Sequence, residues 1–388
     1  MDLSYGESYE EFREEVHGFL ERYRGKVPKP IEWQKILIEN GYAARTIPKE
    51  YGGYGAEPDI LKARIIAEEF AKSQVSPGMG GQGISMLVPT LLEMGTEEQK
   101  KQFVGPTLRG ELVWCQGYSE PNAGSDLASL TTSAVLEGDE WVVNGQKIWT
   151  STAQSAHWIF CLVRSEPEAP KHQGISFLLF RMDTPGIEIK PLVDMTGNAN
   201  FNEGFFTDVR VPKDQIVGKR GQGWLVANAI LGHERGSLAS PDATLTRFNA
   251  LVALMKDETI NGQRLIDIPS YRDRLMRIQG RAMAAQFNEM RIFSARINKK
   301  QDTKLAGMIV KMQGTELRHE LEGLAIDAMG ELGLAIGDNP YLRGGGMWQY
   351  QYMYFLGLII GGGTNQIQKN IISERGLDLP REPKVERK

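Results

Sequence analysis

The chain has 388 residues, of which 41% are hydrophobic and 24% are charged, and its formal net charge is -4. This length is too great for one small core, so two or three subdomains are expected. The small net charge offers no concentrated basic face for nucleic acid, and no window approaches the roughly eighteen uninterrupted apolar residues of a transmembrane helix. The acidic start, MDLSYGESYEEFREE, lacks the basic and apolar regions of a signal peptide. We therefore expect a cytoplasmic protein that binds neither nucleic acid nor membrane.

The cysteines and histidines give no sign of a disulfide framework or of a metal site. Cys115 and Cys161 lie in apolar, strand-like runs, which predicts two buried and unreactive thiols. The five histidines are scattered without the spacing of metal ligands, so no metal is predicted. The chain also lacks GxGxxG after a strand and GxxxxGK[ST], the common nucleotide-binding signatures.

The hydrophobic pattern divides the chain into three zones. Residues 1–112 are helical in pattern, beginning with a capping-box signal at Ser8. An apolar stripe on one face of the first helix follows, made of Phe12, Val16, Phe19, Leu20 and Tyr23. Residues 113–217 have short β-type runs, and residues 218–388 return to long helical patterns at roughly 222–256, 269–299, 303–333 and 347–375. The prediction is an α+β multi-domain fold, with an N-terminal helical domain, a middle antiparallel β-barrel or sandwich domain and a C-terminal four-helix bundle.

The middle zone contains both strand and turn signals. The predicted strands are Thr132–Leu136, Trp141–Val143, Lys147–Ser151, His157–Val163, Ile175–Phe180, GIEIKPL and FFTDVRVP. Gly138-Asp139 and Asn144-Gly145 are hairpin signals, and the second pair is among the strongest available.

The loop from Gln116 to Asp126 is the first candidate site. It leaves an apolar strand and contains Gly124, which allows a close backbone approach, and two small hydroxyl donors, Ser119 and Ser125. A planar, polar-edged cofactor or its diphosphate would need such groups. Taken alone, the loop favours a tight turn with Asx-type hydrogen bonds over a cofactor site.

Four segments in order resemble the acyl-CoA dehydrogenase family over essentially the whole chain. YSEPNAGSD resembles the family's [T/S]EPxAGSD loop, NGQKIWTS its NGxKxWITN strand, FNEGFFTDVRVP its exit from the β domain, and GGGTNQIQKNIISERGL its terminal helix. The resemblance implies FAD as the cofactor, an acyl-CoA substrate, an electron-transfer flavoprotein as the electron acceptor, and a homotetramer or heterotetramer.

The resemblance also implies roles for matching positions. Gln116, Tyr118 and Ser119 would line the edge of the isoalloxazine. Trp149 would cover one side of the flavin, for which the alternative is an ordinary tryptophan of the barrel core. The remaining positions implied for the cofactor or the CoA arm are Ser151 near N5, Gly124 and Ser125 at the loop, and Thr364 and Gln366 at the adenosine half.

Desaturation of an acyl thioester requires a base for the α-proton while the β-hydrogen leaves as hydride to flavin N5. A carboxylate in a dry pocket suits this task, because burial raises the pKa of a carboxyl group. Many family members place a glutamate where this chain has Gly362, and glycine cannot act as a base. The segment around Glu234 resembles branched-chain and long-chain members, so Glu234 is the predicted base and Arg235 matches an arginine near the CoA arm. The alternative is a pair of polar residues on a helix surface.

Two departures from the family pattern leave other functions open. Gly362 and Gly363 could widen the acyl pocket for a branched, cyclic or bulky group, or could simply let helices pack closely. The family's Arg-x-x-Phe-Gly segment has no clean counterpart, and Gln-x-x-Gly-Gly keeps one glycine. The alternatives are a flavin monooxygenase, oxidase or desulfinase on the same fold, and a flavin-poor partner subunit of a heteromeric dehydrogenase.

Overall fold

The computed structural model describes residues 6–237, 240–297 and 304–381, and the surroundings of the side chains of residues 6–233, 240–295 and 305–381. The chain divides into two compact units. One unit contains residues 1–192 and 199–230, and the other contains residues 193–198 and 231–388. The first unit holds the N-terminal helices and the β domain, and the second holds most of the C-terminal helices.

The N-terminal helices pack through the apolar stripe that the sequence predicts. The helices are α1 Glu7–Tyr23, α2 Pro30–Glu39, α3 Ile60–Ser73, α4 Val88–Met94, α5 Glu97–Gln99 and α6 Gly105–Leu108. Val16 and Leu20 of α1 are fully buried and share a core with Trp33, Leu37 and Ile65. The predicted capping box at Ser8 is wrong, because α1 begins at Glu7 after Gly6 and has no side-chain cap. Burial of the stripe against α2 and α3 therefore replaces the local cap as the stabilising feature.

The β domain is one curled, mixed sheet. Its strands are β1 Trp114–Gly117, β2 Ser133–Glu137, β3 Glu140–Lys147, β4 Trp158–Arg164, β5 Ile175–Arg181, β6 Ile187–Leu192 and β7 Phe201–Pro212. The strand order is β1-β4-β2-β3-β7-β6, and β5 pairs with β4. Most pairs are antiparallel as predicted, but β4 runs parallel to both β1 and β2. The sheet's core includes Trp141, Ile159, Val163, Phe180 and Val209.

One of the two predicted hairpin turns is wrong. Gly138 does form the turn between β2 and β3, with a φ of 62°. Asn144-Gly145 instead lies inside β3, where the register with β7 shifts between Val143 and Gly145. A Cβ at Gly145 would lie 2.6 Å from the Cα of Thr132, so the glycine serves a close approach of two strands.

This register shift is a β-bulge on the β7 side. Val143 pairs with Val209, and Gly145 pairs with Phe206, so β7 contains one more residue than β3 over this step. Asp208, on the longer side, has a left-handed φ of 50°. Asn144 fixes it through its side chain: Nδ2 donates to Asp208 Oδ1 at 3.0 Å, and Oδ1 accepts from Asp208 N at 2.9 Å. Asn144-Gly145, which the sequence predicts to be a hairpin turn, therefore lies at a β-bulge.

The C-terminal helices surround a core built on one long central helix. The elements are α7 Gly223–Ser237, α8 Pro241–Asp257, a short hairpin of β8 Thr259–Ile260 and β9 Gln263–Arg264, α9 Pro269–Ile297, α10 Lys304–Met329, α11 Met347–Ile360 and α12 Asn365–Ile371. Helix α10 packs against α8, α9 and α11. Leu321 and Leu324 of α10 are fully buried, beside Leu251, Leu275 and Trp348. The predicted helical bundle is confirmed.

Two of the predicted long helices are interrupted. The predicted helix at 222–256 divides into α7 and α8, and Ser240 caps α8 by accepting from Ala243 N at 3.3 Å. The predicted helix at 347–375 divides into α11 and α12 at the turn Gly361–Thr364. Proline at the first position of α8 and consecutive glycines in the turn account for both breaks.

The described residues also bear on membrane and metal binding. No helix among them is long and apolar enough to span a membrane. Across residues 6–237, 240–297 and 304–381, no group of three or more His, Cys, Asp or Glu side chains is arranged to hold a metal ion.

Candidate active site

A buried ion pair between Glu120 and Lys147 holds the candidate loop after β1 in place. Glu120 and Lys147 have 6% and 0% exposure, and Lys147 Nζ lies 2.8 Å from Glu120 Oε1. Lys147 Nζ also donates to the carbonyl of Tyr118 at 3.1 Å. Glu120 accepts three further bonds, from Thr131 N at 2.7 Å, Thr131 Oγ1 at 2.8 Å and Thr132 N at 2.9 Å. The carboxylate of Glu120 therefore joins the loop to Lys147 of β3 and to the segment at Thr131 and Thr132 that precedes β2.

The charge balance of this pair favours the ionised form of Glu120. Burial alone would raise the pKa of the carboxyl group, but the ammonium of Lys147 and the donors of Thr131 and Thr132 outweigh burial and lower the pKa to about 2. Glu120 is consequently a fixed anion at neutral pH. It holds the backbone in place and is not available as a proton acceptor.

The three predicted flavin-edge residues lie at the end of β1 and in the first residues after it. Gln116 is half-buried, and its Oε1 accepts from Gln82 Nε2 at 3.4 Å. The ring of Tyr118 is buried and packs edge-on to Phe160, at 6.1 Å between ring centroids. Ser119 is half-buried, and its carbonyl accepts from Ile148 N at 2.9 Å. This last bond brings the loop beside the segment that contains Trp149.

The tip of the loop is exposed. Gly124 and Ser125 both face the surface, and a Cβ added at Gly124 would have no atom within 4 Å. The next residue, Asp126, is held by Lys171 Nζ at 2.6 Å and by Ser129 Oγ at 2.6 Å. These hydrogen bonds, that from Lys171 first, lower the pKa of Asp126. The rigid tip leaves the Ser125 hydroxyl and the neighbouring amides open to a ligand.

Trp149 is not a core residue. It is 58% exposed, and its backbone is left-handed with a φ of 62°. The ring touches Phe201 edge-on, at 6.1 Å between centroids and an interplanar angle of 83°. A large apolar ring in this conformation costs free energy twice, through strain and through exposure. The core alternative is therefore wrong, and the strand predicted at Lys147–Ser151 is wrong beyond Lys147, where β3 ends. Ser151 follows in a turn and is half-buried.

The other predicted residues lie in the C-terminal unit, at the turn between α11 and α12. Gly362 and Gly363 are left-handed, with φ values of 65° and 90°. Thr364 caps α12 by accepting from Ile367 N at 3.2 Å, and Gln366 is exposed on the first turn of that helix. The cap uses the Thr364 hydroxyl as an acceptor and leaves its donor capacity for another group.

Two buried side chains hold this glycine turn. Lys311 of α10 has 1% exposure, and its Nζ donates to the carbonyls of Ile359 at 3.0 Å and Gly363 at 2.8 Å. Gln368 Nε2 donates to the carbonyl of Gly362 at 3.0 Å. The turn thus has a defined shape although its three glycines carry no side chains.

The predicted base and its neighbour lie outside the residues whose side chains are described. Glu234 and Arg235 belong to α7, whose helix extends from Gly223 to Ser237. Their roles remain predictions from the sequence.

The described residues fit a planar, polar-edged cofactor. Trp149 offers an open aromatic face, and Gly124 and Ser125 offer open backbone and hydroxyl groups. In addition, Gln82 Oε1 and Thr150 Oγ1 are buried without a hydrogen-bond partner among the described residues. Each adjoins a predicted cofactor residue, Gln116 or Trp149, and buried polar atoms of this kind call for a bound polar group.

Sequence reasoning gave no role to several residues that the structure brings to these sites. Glu120 and Lys147 lie inside the motifs that resemble the family, and their opposite charges within these two motifs were an available signal. Lys311 sits among the apolar positions of α10, which was a similar signal. Asn202 and Gln82 carried no signal, because their partners are distant in sequence.

Comparison with known proteins covers the whole fold. Three domain descriptions of one family match in order: Acyl-CoA dehydrogenase, N-terminal domain, at residues 6–111; middle domain, at residues 115–209; and C-terminal domain, at residues 221–377. Acyl-CoA dehydrogenase IpdE1 of Mycobacterium tuberculosis is 38% identical over 359 residues, which cover 91% of this chain and 88% of that protein.

Solved structures agree with this assignment. The Tcur3481-Tcur3483 steroid ACAD superposes with a TM-score of 0.81 at 30% identity, covering 98% of this chain and 100% of that chain. The ChsE4-ChsE5 complex from Mycobacterium tuberculosis superposes with a TM-score of 0.81 at 31% identity, with the same coverage. The chain belongs to the acyl-CoA dehydrogenase family, whose members are oxidoreductases and flavoproteins that generally use FAD.

Proposed function

We propose that this chain binds FAD and catalyses the α,β-dehydrogenation of an acyl-CoA thioester, with Glu234 as the base for the α-proton. The observation that carries the proposal is Trp149, a 58% exposed ring in a left-handed conformation beside the anchored loop. A protein retains such a strained and exposed aromatic residue where the ring serves a ligand. When bound, FAD supplies the redox chemistry by accepting the β-hydrogen as hydride.

The side chains of the β domain would bind and orient the isoalloxazine. Trp149 would cover one face, the Ser151 hydroxyl would donate towards N5, and the strand end at Gln116 and Ser119 would line the edge. Gly124 and Ser125 would hold the diphosphate or the CoA arm through amides and a hydroxyl. The Glu120–Lys147 ion pair would hold the backbone of the cofactor-binding loop in place and would take no part in proton transfer.

Proton removal needs a carboxylate that the glycine turn does not supply. Gly362 occupies the position of the base in many relatives, so Glu234 is the proposed base and Arg235 the residue near the CoA arm. The thioester oxygen must also be polarised by fixed donors as negative charge develops on it. We propose that electrons then pass to an electron-transfer flavoprotein and that the chain assembles as a tetramer.

The proposed acyl group is larger than a straight chain. Gly362 and Gly363 have no side chains, while Lys311 and Gln368 fix the turn from the side of α10 and α12. The absence of side chains on a rigid turn leaves room for a branched or ring-containing group. One relative is described as a steroid ACAD, which agrees with this size class.

A second candidate is a partner subunit of a heteromeric dehydrogenase. Two similar structures carry names that join two chains, Tcur3481-Tcur3483 and ChsE4-ChsE5. The departure from the family's Arg-x-x-Phe-Gly segment agrees with a cofactor site that needs a second polypeptide. The purified chain would then be colourless alone and would acquire FAD only with its partner.

Anaerobic titration with a panel of acyl-CoA esters tests the proposal. The panel contains straight-chain, branched and polycyclic acyl groups, and bleaching of the flavin absorption measures reduction. The Glu234→Gln variant should retain the yellow cofactor and acyl-CoA binding, and should lose bleaching by about two to four orders of magnitude. The matched control is Glu57→Gln, which removes an exposed carboxylate of the N-terminal domain and should bleach normally.

Three results would contradict parts of the proposal. Bleaching that persists in Glu234→Gln removes Glu234 as the base. Sustained oxygen consumption without an electron acceptor indicates an oxidase or monooxygenase of the same fold. Reduction by straight-chain esters alone removes the assignment of a bulky acyl group.

A further inference from the structure

Trp149 lies two residues beyond the end of β3, where the chain still runs opposite the start of β7 and departs from the register in the manner of a β-bulge. Lys147 pairs with Gly204, so an uninterrupted ladder would place Trp149 opposite Asn202. Instead Thr150 N donates to Asn202 O at 3.0 Å, so Trp149 is one extra residue on its strand. The extra residue is left-handed, which is the position where a bulge usually has glycine.

A bulge with tryptophan in the glycine position must be held by its surroundings. Left-handed non-glycine residues cost free energy, and this segment contains two of them, Trp149 and Thr152, with φ values of 62° and 59°. β-bulges re-aim a side chain out of the sheet and are over-represented next to active sites. A hydrogen-bonding group near Trp149 must therefore keep its backbone in the left-handed conformation.

Asn202 supplies that group. It has 0% exposure, its main-chain oxygen accepts from Thr150 N, and its Nδ2 donates to Thr150 O at 2.9 Å. Both polar groups of the peptide units around Thr150 are thus bound by one residue, immediately after the bulge. Removal of the carboxamide would leave a buried carbonyl without this donor.

The orientation of the Asn202 carboxamide is itself fixed. Its Oδ1 accepts from Gln154 Nε2 at 3.0 Å, and the same Nε2 donates to Ala199 O at 3.1 Å. Thr152 N also donates to Asn200 O at 3.1 Å. These bonds join the two strands around the segment into one closed network, in which Asn202 is the buried member.

We propose that Asn202 is a positioning residue, whose buried carboxamide holds the bulge at Trp149–Ser151 so that the Trp149 ring and the Ser151 hydroxyl face the flavin. The preceding residue, Phe201 at the start of β7, packs edge-on against the Trp149 ring. Trp149 and Phe201 together form an aromatic wall. Asn202 therefore positions this wall in two ways: it binds the backbone beside Trp149, and it directly follows Phe201 in the chain. This inference rests on the proposed function, because it assigns the open face of Trp149 to FAD.

The chain offers a matched control in the same pair of strands. Asn144 fixes the other bulge, through two side-chain bonds to the left-handed Asp208. Asn144→Leu and Asn202→Leu each remove one bulge-holding carboxamide from β3 and β7. The two variants differ in whether the bulge carries a residue proposed to contact the flavin.

The test uses the full-length chain and FAD itself as the probe. Three quantities are measured for each variant: the dissociation constant of FAD, the fluorescence of the bound flavin, and the unfolding midpoint of the FAD-free protein. Asn202→Leu should weaken FAD binding about tenfold and increase the flavin fluorescence, because the quenching Trp149 ring is no longer held against the cofactor. Asn144→Leu should lower the unfolding midpoint and leave FAD binding within about twofold of the wild type.

A double variant separates positioning from general destabilisation. In a Trp149→Ala background, Asn202→Leu should change the flavin fluorescence little, because the ring through which Asn202 acts is absent. Equal effects of Asn144→Leu and Asn202→Leu on FAD binding, or an unchanged flavin fluorescence in Asn202→Leu, would overturn the positioning role of Asn202. Either result would leave the proposed function of the chain intact. Failure of the wild-type chain to bind FAD would overturn the proposed function and this inference with it.

Discussion

The buried pair of Glu120 and Lys147 gives the sharpest stability prediction. Lys147→Met keeps the length of the side chain but removes the ammonium, which leaves Glu120 with 6% exposure as an uncompensated charge. It also removes the donor to the carbonyl of Tyr118. Breaking a buried pair by removing one partner costs about 3–5 kcal/mol, against at most about 1 kcal/mol for an exposed pair.

The magnitude follows from what remains around Glu120. Its carboxylate keeps three donors from Thr131 and Thr132, and those bonds place the expected cost near the lower end of about 3–5 kcal/mol. The single variant Glu120→Gln leaves Lys147 buried and charged, so a similar loss is expected. The double variant should be more stable than the sum of the two losses by about 1–3 kcal/mol, because no charge is left without a partner.

Urea unfolding at pH 7, followed by circular dichroism, measures these differences. The slopes of the transitions must agree between variants before midpoints are compared. Lys213→Met serves as a control, because Lys213 and its partner Asp139 have side chains that are 59% and 82% exposed, and its midpoint should not change. The reasoning is refuted if Lys147→Met costs less than about 1 kcal/mol, the value for an exposed pair, or if the two single losses simply add.

Three further predictions rest on single groups. The pKa of Glu120 is lowered to about 2 from an ordinary value of about 4.5, so the stability that the ionised carboxylate contributes is complete above pH 4.5 and is lost as the pH falls towards 2. In the wild type the unfolding midpoint should therefore fall over this pH range, and in Glu120→Gln it should fall less. Burial raises the pKa of Cys161 to about 12, and Cys115 is buried as well, so a thiol reagent should titrate neither cysteine in the native protein and both after unfolding. Any native reaction on the time scale of mixing would contradict their burial. Gly363→Ala should destabilise the C-terminal unit by about 1–2 kcal/mol, since φ is 90° there and a Cβ would lie 2.7 Å from Gln368 Nε2; an unchanged unfolding midpoint would show that the turn can relax.

Features that depend on neighbouring residues were predictable from the sequence. The stripe of Val16 and Leu20 marks the buried face of α1, and Gly138-Asp139 marks the turn between β2 and β3. The order of a helical, a β and a helical zone follows from the same periodicities. Each of these features is decided within a few residues of chain, where spacing and turn preference carry the information.

Features that depend on a distant partner were not predictable. Asn144-Gly145 has the sequence of a hairpin turn, but the strand continues because β7 provides an extra residue, Asp208, for Asn144 to bind. Trp149 has the sequence of a strand residue, but its backbone is left-handed, and the carbonyl of the next residue, Thr150, accepts from Asn202 Nδ2, 52 positions further along the chain. The backbone conformation of both segments is therefore determined by pairing with β7, and the local sequence alone does not determine it.

The two bulges have a joint consequence for insertions and deletions. The extra residue at Asp208 lengthens β7, and the extra residue at Trp149 lengthens the segment that follows β3. The two shifts cancel, so the register after the second bulge is the same as the register before the first. Loss of one residue at either place would move one side of the strand pair out of step with the other and turn its inward side chains outward. Loss of both would restore the alignment at the cost of the aromatic wall. Chain length in β3 and β7 is therefore coupled, and a relative that shortens one strand should be found to shorten the other.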